Sequence, residues 1–383
     1  MRHKLIRITT VPSSLRTLLK GQHRFMNKHY EVIGIAADGD PLKEVIQNEG
    51  IKTHAVEMTR TITPIKDLKA VFQLYKFFKK EQPFIVHTHT PKAGTVGMLA
   101  AKLAGVPHRL HTIAGLPLLE ITGNKRKLLN IVEKFTYKCS TLVLPNSFGL
   151  ERIILEEKFT TSKKVKVIGN GSSNGIDTKH YDTALVSEVK QQELKNKLEI
   201  TNNDIVFIFI GRIVKDKGIN ELVSAFNSLS KRHLNSKLLL VGSRENHLDP
   251  LSPETEQIIK DNNQIIATGV QKDIRPYVSI SHVLAFPSYR EGFPNVVLQA
   301  SCMELPCIVS NINGCNEIIE HDVNGLIVPV KNDSALEAAM QFMIDNPEKR
   351  IAMIKNSRSR IIERYKQEFV WNEILKLYKT FES

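Results

Sequence analysis

Short apolar runs of strand length alternate with longer amphipathic stretches along nearly all of this 383-residue chain, and the alternation comes in two series. A strand followed by a helical pattern, repeated, buries its apolar faces as a parallel sheet with helices on both sides. The first series predicts strands at 5–9, 30–36, 52–56, 85–87, 108–112, 141–145 and 165–169, with helices between them, among these 67–81 and 125–138. The second predicts strands at 205–211, 237–242, 265–268, 283–287, 307–310 and 325–328. Between the series, residues 170–203 open on Asn170-Gly171-Ser172-Ser173-Asn174-Gly175 and continue as a polar, lysine-rich stretch, which reads as a break. The expectation is an α/β protein of two doubly wound domains, 1–180 and 181–383. Residues 347–382 read as helical with Tyr365 and Trp371 as apolar anchors, and the final stretch 359–383 is a candidate to pack back on the N-terminal domain.

Several function classes fall away at this stage. The longest apolar runs are strand-length, far from the roughly 18 residues of a membrane-spanning helix. Met1-Arg2-His3-Lys4 runs straight into a strand pattern without an apolar leader, so a cytoplasmic protein is expected. Cys139, Cys302, Cys307 and Cys315 lack C-x-x-C spacing and companion histidines, so buried reduced thiols are expected rather than a disulfide or a metal site. Charge is lopsided: residues 1–180 hold 29 Lys and Arg against 14 Asp and Glu, a net of +15, whereas residues 181–383 sum to −2. The basic half points to an anionic partner, either a phosphate-bearing acceptor or an acidic membrane, or else to lysines on solvated faces. No nucleic-acid-binding motif or interleaving of aromatic and basic residues accompanies it, so nucleic acid is not expected.

Ligands of parallel sheets sit beyond the carboxyl ends of the strands. Two loops there carry unusual chemistry. Gly211-Arg212-Ile213-Val214-Lys215-Asp216-Lys217-Gly218 follows strand 205–211. A glycine at a strand end admits a ligand close to backbone, and Arg212 and Lys217 put two cations where a diphosphate would lie; alternatively this is a basic turn before a helix. Pro287-Ser288-Tyr289-Arg290-Glu291-Gly292-Phe293-Pro294-Asn295-Val296-Val297-Leu298-Gln299 follows strand 283–287. Its carboxylate Glu291 suits sugar hydroxyls, the helix amides near Asn295 and Val296 suit phosphate, and Gln299 lies one turn further in; alternatively Glu291 is an ordinary surface carboxylate at a helix start.

Together these two segments resemble the donor half of the GT-B, family 4 retaining glycosyltransferases, and among them bacterial enzymes of capsule and O-antigen polysaccharide biosynthesis. Leu19-Lys20-Gly21-Gln22, His87-Thr88-His89-Thr90-Pro91-Lys92-Ala93-Gly94 and Thr112-Ile113-Ala114-Gly115-Leu116-Pro117 extend the likeness over the N-terminal half. The resemblance implies two facing Rossmann-like domains with a cleft between them, the first binding acceptor and the second a nucleoside-diphosphate sugar, UDP-linked by family habit. It gives Arg212 and Lys217 the diphosphate, Glu291 the transferred sugar, and Gln299 the ribose, where the family more often has a glutamate. Gly211, Gly242, Gly269, Val270, Gly292, Asn295 and Val296 complete the donor pocket. Where many members carry a histidine near the sugar, this chain has Ala114, so either that histidine is dispensable or His89 or His111 takes its place; both are equally readable as ordinary polar residues of a strand-end loop.

With no evident nucleophile and no Asp-x-Asp element, catalysis is expected from positioning and charge stabilisation, with no cofactor or metal. Retention comes from the resemblance. A polyprenyl-diphosphate-linked or other glycan is the expected acceptor. Lys125-Arg126-Lys127, opening an amphipathic stretch at 128–137, is either a helix lying on an anionic membrane or a core helix with a solvated basic face. A nucleotide-sugar 2-epimerase of the same fold and a catalytically inactive relative are the alternatives.

Overall fold

The computed structural model describes residues 2–61, 63–245 and 249–382. Two compact units divide the chain, Met1–Gly175 with Gln367–Ser383, and Ile176–Lys366.

The first unit holds a six-stranded, wholly parallel sheet: β1 (Lys4–Ile8), β2 (Glu31–Ala36), β3 (Lys52–Ala55), β4 (Ile85–Thr88), β5 (His108–Ile113) and β6 (Leu142–Pro145), in the order β3-β2-β1-β4-β5-β6. The period-2 alternation of a strand sends Leu5, Val32 and Ile85 to one face and Ile6, Ile33 and Val86 to the other, where each set joins a separate core. Helices Pro64–Glu81, Pro91–Ala104 and Gly123–Cys139 pack side by side over the second set. Helix Gln367–Lys379 supplies Val370, Ile374 and Tyr378 to the first.

The second unit repeats the plan with β7 (Ile205–Ile210), β8 (Ser236–Val241), β9 (Ile265–Gly269), β10 (Val283–Phe286), β11 (Cys307–Ser310) and β12 (Gly325–Val328), ordered β12-β11-β10-β7-β8-β9 and again parallel. Sequences such as Ile-Val-Phe-Ile-Phe-Ile in β7 are apolar without alternation because both faces are covered. In each unit the strand order reverses at one point, between β1 and β4 and between β7 and β10, the place where open parallel sheets bind their ligands.

Twelve of the thirteen expected strands form. Residues 165–169 do not: Val165 makes a single bridge to Val143, and the chain then turns through Gly169 at φ +55°. The helical stretch expected over 347–382 is two helices, Pro347–Tyr365 and Gln367–Lys379, interrupted where Lys366 adopts extended backbone and bridges Ile176. The chain thus leaves the first unit after Gly175, inside the expected break, and returns at Gln367. All four cysteines are buried and free.

Candidate active site

In the second unit, the loops after β7 and β10 meet at the point where strand order reverses. Gly218 has φ +72°, and a Cβ there would lie 2.1 Å from the carbonyl oxygen of Pro287, so only glycine lets the two loops touch. Gly242, at the end of β8, stands equally close to the Gly211 carbonyl; its Cβ would fall 1.7 Å away. Further bonds lock the loops together. The Tyr289 amide donates to the Asp216 carbonyl (3.0 Å), and the Arg290 guanidinium pairs with the Asp216 carboxylate (2.8 Å). The Tyr289 hydroxyl donates to Glu221 at 2.7 Å.

This frame brings Lys217 and Glu291 into an ion pair, with both side chains mostly buried. Ser288 Oγ donates to the same Glu291 carboxylate oxygen at 2.9 Å, and the Asn313 amide donates to the Glu291 carbonyl. Arg212 stands beside them, partly exposed, bonded to Glu245 at 3.0 Å and 3.9 Å from Asp216. Burial works against its charge, and the carboxylates of Glu245, Asp216 and Glu291 outweigh that, so its pKa is raised. Helix Asn295–Cys302 starts directly beyond at an exposed Asn295, and among the described residues no side chain caps its first turn. Gln299 lies one turn on, its amide nitrogen donating to the Tyr181 hydroxyl at 2.8 Å, which leaves its carbonyl oxygen as an acceptor. Gly269, the last residue of β9, and Val270 after it are exposed. Every residue expected around a donor lies in this unit, at or just beyond the carboxyl ends of β7, β8, β9 and β10.

Ser288, Asn313, Tyr181 and Glu245 were missed by sequence reasoning. Ser288 stands inside the segment singled out, but a lone serine there carries no distinguishing signal. Asn313 follows β11, whose loop drew no attention. Tyr181 and Glu245 approach from segments 118 and 33 positions away from their partners, and no local pattern announces such contacts.

The carboxyl ends of the first sheet look different. His87 and Tyr378 share a hydrogen bond of 2.6 Å, His87 and Thr112 one of 2.7 Å, and Arg7 donates to the Tyr378 hydroxyl at 2.9 Å. Arg7, near the end of β1, is fully buried and also donates to the Gln22 amide oxygen. His111 is enclosed: its Nδ1 meets Thr88 Oγ1 at 2.7 Å, and a Cβ on Gly94 would strike its ring at 2.3 Å. His89 is the more open candidate. Among the described residues both of its ring nitrogens lack a partner, and it lines a cavity with room for about one water, beside Thr112, Asn146 and Ser172. The Asn146 side-chain oxygen is also unpartnered there. Burial holds His111 down to about 4 and His89 and His87 well below the ordinary histidine value, so all three are neutral at pH 7. Ala114 is exposed in the turn after β5.

Comparison with known proteins assigns this frame. The family described as Glycosyl transferases group 1 matches residues 190–360, and Glycosyl transferase 4-like matches residues 13–147. The capsular polysaccharide biosynthesis glycosyltransferase CapM of Staphylococcus aureus is 32% identical over 99% of this chain and 97% of its own length. This chain is a GT-B glycosyltransferase of the family 4 type. The glycosyltransferase is also 30% identical, over 94% of its length and 93% of the relative's, to the UDP-Gal:alpha-D-GlcNAc-diphosphoundecaprenol alpha-1,3-galactosyltransferase of Escherichia coli. Among solved structures its fold matches Anabaena Alr3699/HepE in complex with UDP and glucose, with a TM-score of 0.83 at 18% identity over 99% of this chain and 100% of the other. A glycosyltransferase from Rickettsia africae matches with a TM-score of 0.81 at 20% identity, covering 100% of this chain and 99% of that one.

Proposed function

We propose that this glycosyltransferase moves a hexose or N-acetylhexosamine from a UDP-sugar, with retention, to a polyprenyl-diphosphate-linked glycan in the assembly of a capsule or O-antigen type of polysaccharide at the cytoplasmic side of the membrane. The observation that carries the reading is the Lys217–Glu291–Ser288 cluster beside Arg212 and the uncapped start of helix Asn295–Cys302. Two cations and a helix N-terminus suit a diphosphate, and a carboxylate held by Lys217 and Ser288 suits sugar hydroxyls. The relatives support the donor and acceptor classes: the Escherichia coli enzyme uses UDP-galactose and a diphosphoundecaprenol acceptor, and a Campylobacter jejuni relative, 26% identical, is an N-acetylgalactosaminyltransferase acting on a diphospho-undecaprenol acceptor.

In this reading the leaving nucleoside diphosphate accumulates negative charge as the glycosidic bond breaks. Arg212, Lys217 and the amides of Asn295 and Val296 stabilise it without a metal ion or other cofactor, because fixed donors aimed at developing charge need no reorganisation. The arriving diphosphate takes the place of Glu245 on Arg212. Glu291 accepts hydrogen bonds from the sugar, and the Gln299 carbonyl accepts one from a ribose hydroxyl. Gly211, Gly242 and Gly292 keep backbone close, and Gly269 with Val270 borders the base. His89, neutral and unpartnered, offers the acceptor side one donor and one acceptor nitrogen.

The test is an incubation with a panel of UDP-sugars and a short-chain GlcNAc-diphosphate lipid, read by mass and by the anomeric configuration of the product. One UDP-sugar should be transferred with its configuration kept. Transfer only from a different nucleotide, inversion, or an epimerised sugar released without acceptor would each overturn the reading.

A further inference from the structure

Helices Pro64–Glu81 and Gly123–Cys139 flank Pro91–Ala104 in one layer of the first unit, and each turns an apolar stripe outward. On the first, Ile65, Leu68 and Phe72 are exposed, Ile65 by 87%; on the second, Leu128, Ile131 and Phe135 are, Ile131 by 65%. Both sets follow i, i+3, i+7, the spacing of a single helix face. The buried faces are separate: Ala70, Val71, Leu74 and Phe78 serve the core from the first helix, and Thr136, Tyr137 and Cys139 from the second. These six side chains are therefore surplus to the fold, and a protein surface seldom leaves so much apolar area without a partner.

The charges between them name the partner. Every exposed charged residue on these two helices is a lysine, five between Lys66 and Lys80 and four between Lys125 and Lys138. The three acids, Asp67, Glu81 and Glu133, are all partly covered; Asp67 pairs with Lys92 and Glu81 with Lys4. Arg126, which the sequence groups with Lys125 and Lys127, is turned inward onto Glu157 at 2.7 Å, the Leu118 carbonyl and Asn130, so it takes no part. Apolar residues ringed by cations, with no exposed anion, fit a bilayer surface with acidic headgroups, where the rings enter the acyl boundary and the ammonium groups stay at the phosphates.

We infer that this two-helix face docks the enzyme on an anionic membrane, with both stripes engaged together. The inference deepens the lipid-linked acceptor reading, yet its test does not need that reading to hold. The full chain is sedimented with vesicles of phosphatidylglycerol and phosphatidylcholine, and with phosphatidylcholine alone, at near-physiological salt. Two variants are compared, Phe72→Gln with Ile131→Gln, and Lys69→Gln with Lys127→Gln and Lys134→Gln. Wild type should bind the acidic vesicles only; the lysine variant should partition roughly a hundredfold less, at about fivefold per lysine, and the apolar variant should lose a similar share. Circular dichroism and turnover on a water-soluble acceptor should stay at wild-type level, which separates this result from failure of the donor site. Indifference of wild type to acidic vesicles, binding at the wild-type level by either variant, or a dimer that dissociates when the apolar residues are replaced would overturn the inference.

Discussion

The two units share one strand order and put opposite chemistry at the same place. At the carboxyl ends of β7 and β10 the second unit assembles ionised side chains in pairs: Lys217 with Glu291, Arg212 with Glu245, Arg290 with Asp216. The matching region of the first unit, along β1, β4 and β5, holds neutral histidines, hydroxyls and one buried arginine bonded to neutral groups. Cations already counterbalanced by carboxylates can be handed to an anionic ligand at small desolvation cost, because the carboxylate simply moves aside. Neutral donors and acceptors suit hydroxyls instead. The comparison teaches that a common scaffold does not decide what it binds; the loops at the strand ends do.

The largest effects expected from this contrast lie in the second unit. Lys217→Ala and Arg212→Ala should each reduce kcat/KM by about 2–4 kcal/mol, the range for loss of one electrostatic donor, with melting temperatures little changed; steady-state kinetics decide it. Glu291→Ala should lower turnover more than it weakens nucleotide binding, and Gln299→Ala the reverse, with Gln299→Glu still active. Equal losses of both quantities in both variants would erase the division of labour between them.

Middle-sized effects belong to the first unit and appear as pH dependence of stability. Burial pushes His23 down to about 3 and His111 to about 4, below the ordinary value near 6.5. The unfolded chain therefore takes up protons first as pH falls, and stability drops from pH 6.5 downward through the folded values; above 6.5 these groups contribute no slope. Each contributes at most about 1.4 kcal/mol per pH unit. Thermal unfolding from pH 7 to 4.5 should show the decline, and His111→Gln, if it folds, should flatten it. The smallest expected changes are at Tyr181 and Glu245. Tyr181→Phe should weaken nucleotide binding by about 1 kcal/mol by freeing the Gln299 amide. Glu245→Gln should tighten it a few-fold, since Arg212 then has one fewer competing anion; titration calorimetry measures both.

The architecture was readable because buried parallel strands are apolar runs, and runs such as Ile205–Ile210 are too short for anything else in that context. The strand expected at 165–169 failed because Val165, Val167 and Ile168 are apolar for packing reasons, while the pairing with β6 stops after the single bridge from Val165 to Val143. At the site, Arg212, Lys217, Glu291 and Gln299 were legible because glycines and prolines mark the loops that carry them. Tyr181 and Glu245 were not, since their contacts depend on tertiary neighbours that no local spacing encodes. Arg7 was hidden for another reason: nothing in Lys-Leu-Ile-Arg-Ile announces that its charge is buried, and its partners, Gln22 and Tyr378 from the far end of the chain, are tertiary neighbours.

The account rests above all on the second unit binding a nucleoside diphosphate through Arg212 and Lys217. Isothermal titration of UDP into the wild type, Arg212→Ala and Lys217→Ala tests it most directly. Wild type should bind with 1:1 stoichiometry and each variant at least tenfold more weakly, while all three unfold at similar temperatures. Equal affinity in the three proteins, or no binding of UDP by the wild type, would contradict it.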